Sequence, residues 1–176
     1  VYIWVGRYEA ALKANLDAVA VDAQNARRLK LKDGVWGLIY HSHNVAFGTG
    51  AALLSGDGAA ALELARPVVA TPEDPRLGQM TVARAYFAMG RYASQAEVAA
   101  LPDPGAMAPF GQAMWRYASG EAAARRGDAK AVRAEAAKVS LDPQAQKPFG
   151  GSGYQSEAVV KLARLTLEGR ADMLEH

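Results

Sequence analysis

The stretch that most constrains this chain runs over 82–99 and contains Tyr86, Gly90, Arg91 and Tyr92 amid a run of alanines. Its apolar spacing reads as helix, glycine-centred turn, helix, with the turn at Gly90-Arg91-Tyr92. A near copy of the turn stands at Gly6-Arg7-Tyr8. Weaker copies stand at Gly56-Asp57-Gly58, Gly127-Asp128-Ala129 and Gly169-Arg170-Ala171. A unit that recurs in this way predicts an array of antiparallel helix pairs. One pair cannot bury its own apolar face, so its neighbours complete the core.

Composition agrees with an all-α reading. Of 176 residues, 51% are hydrophobic and 22% charged, enough to bury a core and too apolar for a disordered chain. Much of the apolar share is alanine, the best helix former. No window approaches the ~18 apolar residues of a membrane span. The absence of cysteine removes disulfides, thiolate zinc sites and cysteine nucleophiles together. A net charge of +2 is too small to argue for nucleic acid. The expectation is a cytoplasmic protein whose partner is neither nucleic acid nor membrane. The start at Val1, without Met or a leader segment, reads as a piece of a longer protein. Leu174-Glu175-His176 reads as a vector-derived tag remnant and is set apart from the fold.

Helices are expected over 9–23, 44–55, 59–70, 76–89, 92–100, 109–126, 128–139 and 155–168. The end of a further helix is expected at 1–5, which makes about nine. The first of these carries an apolar stripe of Ala11, Leu12, Leu16, Val19 and Ala20, and the last one of Val159, Leu162, Ala163, Leu165 and Thr166. Residues 25–40 break the pattern and read as an extended connection with a helical tail on its first half. Pro67 predicts a bend or an end near Ala65, because a mid-helix proline removes a hydrogen bond and clashes with the preceding turn.

The turn glycines serve as rulers. Gly56 to Gly90 is 34 residues, Gly90 to Gly127 is 37, Gly127 to Gly169 is 42 and Gly6 to Gly56 is 50. A helix–turn–helix period of 34 is the tetratricopeptide length, and the longer intervals are that length plus insertions. Residue types agree in part with that family. Tyr2 and Tyr86 match its tyrosine before the turn, and Tyr8 and Tyr92 the one after it. Ala11 and Ala61 match its alanine in the second helix, where Gln95 and Val132 depart. Ala83 and Gly120 match its small residue in the first helix, with Thr49 close.

The chain therefore resembles tetratricopeptide repeat proteins over 1–173. The resemblance implies a right-handed α-solenoid in one domain: a truncated repeat at 1–23, an insertion at 24–42, repeats at 43–70, 77–101 and 108–140, and a partial repeat at 155–173. Truncated end units imply exposed apolar faces and self-association. Residues 1–70 also resemble a bacterial subgroup of tetratricopeptide-like proteins, through Val5-Gly6-Arg7-Tyr8 and Tyr40-His41-Ser42-His43-Asn44-Val45-Ala46-Phe47. The subgroup often has a second histidine two residues after the asparagine, where this chain has Ala46.

Few residues suggest chemistry. His41, His43 and Asn44 are the one local cluster of ligand-type side chains, and metal or small-ligand binding within a larger enzyme is the alternative they raise. A zinc site needs a third protein ligand that the sequence does not name. The plainer reading makes His43 or Asn44 a helix cap, with Tyr40 and Phe47 as a hydrophobic staple. Arg27-Arg28-Leu29-Lys30-Leu31-Lys32 reads as a solvated helix face, with a patch for nucleic acid or an acidic partner as the alternative, and no interleaved aromatic offers a stacking platform. Gly150-Gly151-Ser152-Gly153 lacks the Lys-Ser or Lys-Thr of a phosphate loop and reads as a linker. No catalytic constellation and no cofactor are implied.

In tetratricopeptide arrays the first helices of successive pairs line a concave surface that binds a peptide. Carried over one position at a time, that resemblance nominates His43, Leu53, Met80, Arg84, Phe87, Tyr117, Glu121 and Arg125. The expected function is non-catalytic binding of a protein or peptide there.

Overall fold

A computed structural model describes residues 1–72, 74, 76–105, 108–140 and 156–176. Among them are eight α-helices, two short 3-10 turns and no strand. The helices are α1 (Tyr8–Arg28), α2 (His41–Ser55), α3 (Gly58–Val69), α4 (Gln79–Tyr92), α5 (Gln95–Ala99), α6 (Pro109–Arg125), α7 (Ala129–Ala136) and α8 (Ser156–Glu175). The 3-10 turns are Tyr2–Val5 and Gly34–Gly37. None of the described helices is long and apolar enough to cross a membrane. The chain divides into two compact units, Val1–Ala88 and Met89–His176, with the division inside α4.

In the first unit α2 packs against both α1 and α3. Glycine makes this possible. A Cβ on Gly48 would lie 2.9 Å from Leu64 Cδ1 of α3 and 3.2 Å from Asn15 Cβ of α1. The inner face of α1 keeps Ala11, Leu12, Leu16 and Val19 of the expected stripe and loses Ala20. Ala11, Leu12 and Ala26 are buried, Asn15, Leu16, Val19, Asp22 and Ala23 are half-buried, and Ala20 is exposed. Two polar residues, Asn15 and Asp22, thus lie in the seam.

The turn between α2 and α3 is the one expected. Gly56 is left-handed at φ 80°, and Asp57 caps α3 by accepting from Ala60 N–H at 3.0 Å. Such a cap is worth about 1 kcal/mol. Pro67 neither ends nor shortens α3, which runs on to Val69. Pro67 and Glu63, whose carbonyl the missing N–H would have served, are both exposed.

The connection over 25–40 has the expected helical tail on its first half, but the rest of it is not extended. α1 continues to Arg28, Lys30 adopts a left-handed φ of 51°, and a 3-10 turn follows. α2 begins at His41, three residues earlier than expected, with Tyr40 as its N-cap and no side-chain cap bond. His41, His43 and Asn44 are therefore inside the first turn, and neither His43 nor Asn44 is the cap.

In the second unit α6, α7 and α8 pack on one another. Gly127 is left-handed at φ 75°, and Asp128 caps α7 by accepting from Ala131 N–H at 2.9 Å. α8 buries Val160, Ala163, Leu167 and Ala171, spaced by three and four. Leu162 and Leu165, expected inside, are 62% and 48% exposed. α8 includes Leu174 and Glu175, and Arg133 Nη2 donates to Glu175 Oε2 at 2.6 Å.

The motif at 90–92 is a correction. Gly90, Arg91 and Tyr92 are the last residues of α4 and not a turn. The chain turns at Ala93-Ser94, where Ser94 and Glu97 form a reciprocal capping box that starts α5. The second helix expected over 92–100 shrinks to Gln95–Ala99 for that reason. Gly90 has a different purpose: a Cβ there would lie 3.1 Å from Ala118 Cα and 3.2 Å from Glu121 Cβ of α6. It is a close-approach glycine. Gly169 likewise lies within α8 and makes no turn. The segment Gly150-Gly151-Ser152-Gly153 and residue 155 lie outside the described residues.

Candidate functional site

Helices α2 and α4 carry no Asp or Glu, and their charged residues are Arg84 and Arg91 besides the two histidines. In the first unit they lie side by side. Ser42 Oγ and Thr81 Oγ1 share a hydrogen bond at 3.0 Å, and Thr81 Oγ1 lies 3.2 Å from the Ser42 carbonyl. One turn further on, Arg84 Nη1 donates to the Ala46 carbonyl at 2.8 Å. A hydrogen bond from a charged donor to such a carbonyl is worth about 1.5–3 kcal/mol. Gly50 makes the approach possible: a Cβ there would lie 2.9 Å from Arg84 Cζ. The guanidinium also sits 5.2 Å from the Phe47 ring centroid, within cation–π range.

Phe47 belongs to a ring ladder along α2. The His43 ring lies 4.4 Å from it at 32°, and Tyr40 meets His43 edge-on at 6.1 Å. The spacing of Tyr40, His43 and Phe47 by three and four places them on one helix face. His43 interposes between Tyr40 and Phe47, so the expected staple becomes a three-ring stack. Tyr40 is 69% exposed and His43 is exposed, so the ladder is displayed to solvent.

Of the residues nominated for the groove, His43, Arg84 and, through spacing along α4, Met80 and Phe87 belong to this part of the first unit. Met80, Arg84 and Phe87 are half-buried and recur by four and three. Leu53 is half-buried near the C-terminal end of α2, and its neighbour Leu54 is the more exposed at 56%. Tyr117, Glu121 and Arg125 lie on α6 in the second unit. Glu121 is buried, and its Oε1 accepts from Arg170 Nε at 3.3 Å. Tyr117 is half-buried. Burial, and then the Glu121 charge, push its phenol well above its ordinary value, against the opposing charges of Arg170 and Arg91. Arg125 is exposed.

The cluster at 41–44 divides between two faces. His41 is 4% exposed, and its Nδ1 hydrogen-bonds to Asp22 Oδ2 of α1 at 3.0 Å. Asn44 Nδ2 donates to the same oxygen at 3.1 Å. Trp36 meets the His41 ring edge-on at 4.7 Å. His43 points elsewhere, onto Phe47. Among the described residues no three of His, Asp or Glu are placed to hold a metal ion. His41, Asn44 and Asp22 form a polar tie between α1 and α2 that also seats the Trp36 turn.

Phe47, expected from the sequence as one side of a hydrophobic staple, packs on His43 instead. One residue of this region, Asp22, was not nominated from the sequence. Asp22 was legible as a carboxylate in phase with Leu12, Asn15 and Ala26 on the inner face of α1. The chain matches no protein-family model, no curated protein and no solved structure.

Proposed function

We propose that this chain is a non-catalytic binding module of the tetratricopeptide-like α-solenoid type, and that the α2–α4 face of the first unit takes a peptide segment of a protein partner. The carrying observation is the His43–Phe47–Arg84 assembly. It combines displayed rings with a guanidinium held against one of them, and aromatic and arginine side chains of this kind dominate binding energy at interfaces. Arg84 is held by the Ala46 carbonyl, so little side-chain freedom remains to be lost on binding.

The repeat reading gains support from the caps. The second helix of each pair starts from an N-cap at Arg7, Asp57, Ser94 or Asp128. From Asp57 to Ser94 is 37 residues, and from Ser94 to Asp128 is 34. The 34-residue interval thus survives the loss of the turn at Gly90, shifted one pair along the chain.

The test is selection of peptides from a displayed random library on the whole chain. Enriched peptides that bind Phe47→Ala and Arg84→Ala about tenfold or more weakly support the site, with circular dichroism showing both variants folded. No enrichment, or peptides indifferent to both substitutions, overturns it.

A further inference from the structure

The connection between α1 and α2 concentrates charge that the chain as a whole lacks. Arg27, Arg28, Lys30 and Lys32 are all exposed, and among the described residues none of them forms an ion pair. Arg28 donates to Asn25 Oδ1 at 3.4 Å, within the same helix end. The single carboxylate between Gln24 and Tyr40 is Asp33, and Arg76 Nη1 meets it at 3.2 Å. The local charge is therefore strongly positive.

The backbone path that carries these cations is closed by hydrogen bonds. Leu31 N–H donates to the Ala26 carbonyl at 3.1 Å, closing the end of α1 through a left-handed residue. That residue is Lys30, with φ 51°, the one non-glycine residue with positive φ among those described. Glycine is the ordinary occupant of such a position, so Lys30 stands there at a conformational cost. The second half of the connection folds back on the first: a Cβ on Gly37 would lie 3.6 Å from Asp33 Cβ and 3.8 Å from Leu31 Cδ1. The same connection displays large apolar groups, with Ile39 90%, Tyr40 69% and Leu29 50% exposed.

We propose that the α1–α2 connection is a docking surface for an anionic lipid bilayer. Arg27, Arg28, Lys30 and Lys32 engage the acidic headgroups, and Ile39, Leu29 and the Tyr40 ring enter the boundary between headgroups and acyl chains. Charge complementarity supplies the attraction, at a strength that fades within a Debye length and falls with salt. The apolar residues decide between lipid and nucleic acid. A phosphodiester backbone has no use for exposed Ile39 and Leu29, whereas the bilayer boundary buries them. Peripheral docking requires neither a spanning helix nor a large net charge, so it is compatible with the charge of +2.

The experiment is co-sedimentation of the chain with vesicles of pure phosphatidylcholine and of equimolar phosphatidylcholine and phosphatidylserine. Binding to the second and not the first, weakened by added salt, is expected. Lys30→Gly removes one cation and suits the left-handed backbone, so it leaves the fold intact and weakens binding about fivefold. Arg28→Gln does the same on the helix end. Ile39→Ser weakens binding without changing charge. No phosphatidylserine-dependent binding, or binding indifferent to Lys30→Gly or to Ile39→Ser, overturns the proposal. So does binding of a mixed-sequence oligonucleotide that Lys30→Gly weakens while the anionic vesicles stay unbound.

Discussion

Gly120 of α6 meets Leu167 of α8 so closely that a Cβ on Gly120 would lie 2.5 Å from Leu167 Cδ1 and 2.7 Å from Cδ2. Leu167 is fully buried and has nowhere to move. Gly120→Ala gains up to about 1 kcal/mol of helix propensity and loses about 1–3 kcal/mol to overpacking, so a net loss of stability is expected. Urea denaturation measures it. Leu167→Ala alone costs about 2–5 kcal/mol through the cavity it leaves. In the double variant the two changes share one volume, so the loss is smaller than the sum. Additive losses would show that the helices do not meet at this point.

Asp22 accepts from two side chains of α2, His41 and Asn44, through one oxygen. Asp22→Ala strands the His41 and Asn44 donors in a seam where water is scarce, at a cost of about 2–3 kcal/mol. Asp22→Asn keeps an acceptor and costs less. Chemical denaturation ranks the two, and Trp36 fluorescence reports whether the turn seated on His41 shifts. Equal losses in the two variants would mean that the carboxylate position is not a hydrogen-bonding one.

The two glycines at 56 and 90 look alike in sequence and differ in what they do. Gly56 has φ 80° with nothing within 4 Å of a Cβ, so Gly56→Asn, which tolerates a left-handed φ, costs less than about 1 kcal/mol. Gly90 is helical and faces the Ala118 backbone, which cannot give way, so Gly90→Asn costs about 1–3 kcal/mol through overpacking. Ser94→Ala removes half of the capping box and about 1 kcal/mol with it. Thermal unfolding of the three variants gives the order. A Gly90→Asn protein as stable as Gly56→Asn would return the turn to 90.

That pair explains how far the fold was legible. Helices α2, α3, α6 and α7 and the caps at Asp57 and Asp128 follow from local signals: apolar periodicity, a left-handed glycine and an aspartate just after it. Gly90 misled because a turn glycine and a close-approach glycine leave the same mark, and only packing against α6 separates them. The true signal, Ser94 with Glu97 three residues on, stood four residues later. The α8 stripe kept Ala163 but shifted from Leu162 and Leu165 to Val160, Leu167 and Ala171, which lie three, four and eight residues from Ala163 on one helix face. The site divides the same way. Residues on one helix face, such as His43 or the series Met80, Arg84 and Phe87, can be phased from spacing. The tie between Asp22 and His41 spans nineteen residues across two helices. It required the phase of α1 as well as that of α2, and the basic connection required the left-handed Lys30.

Tyr117 carries a prediction in pH. Its phenol is raised above the ordinary 10.0, first by burial and then by Glu121. The folded state thus holds the phenolic proton where the unfolded chain releases it. Between the unfolded value of 10.0 and the higher folded value the unfolded state binds fewer protons, so stability falls as pH rises. Below that window the contribution is fully present. Absorbance titration of the folded protein should show the Tyr117 phenol ionising only above its ordinary value or on unfolding. Tyr117→Phe removes the ionisable group and flattens the decline in stability above pH 10.0 relative to the parent chain. Equal slopes for the two proteins in that range would show that the Tyr117 hydroxyl titrates as it does in water.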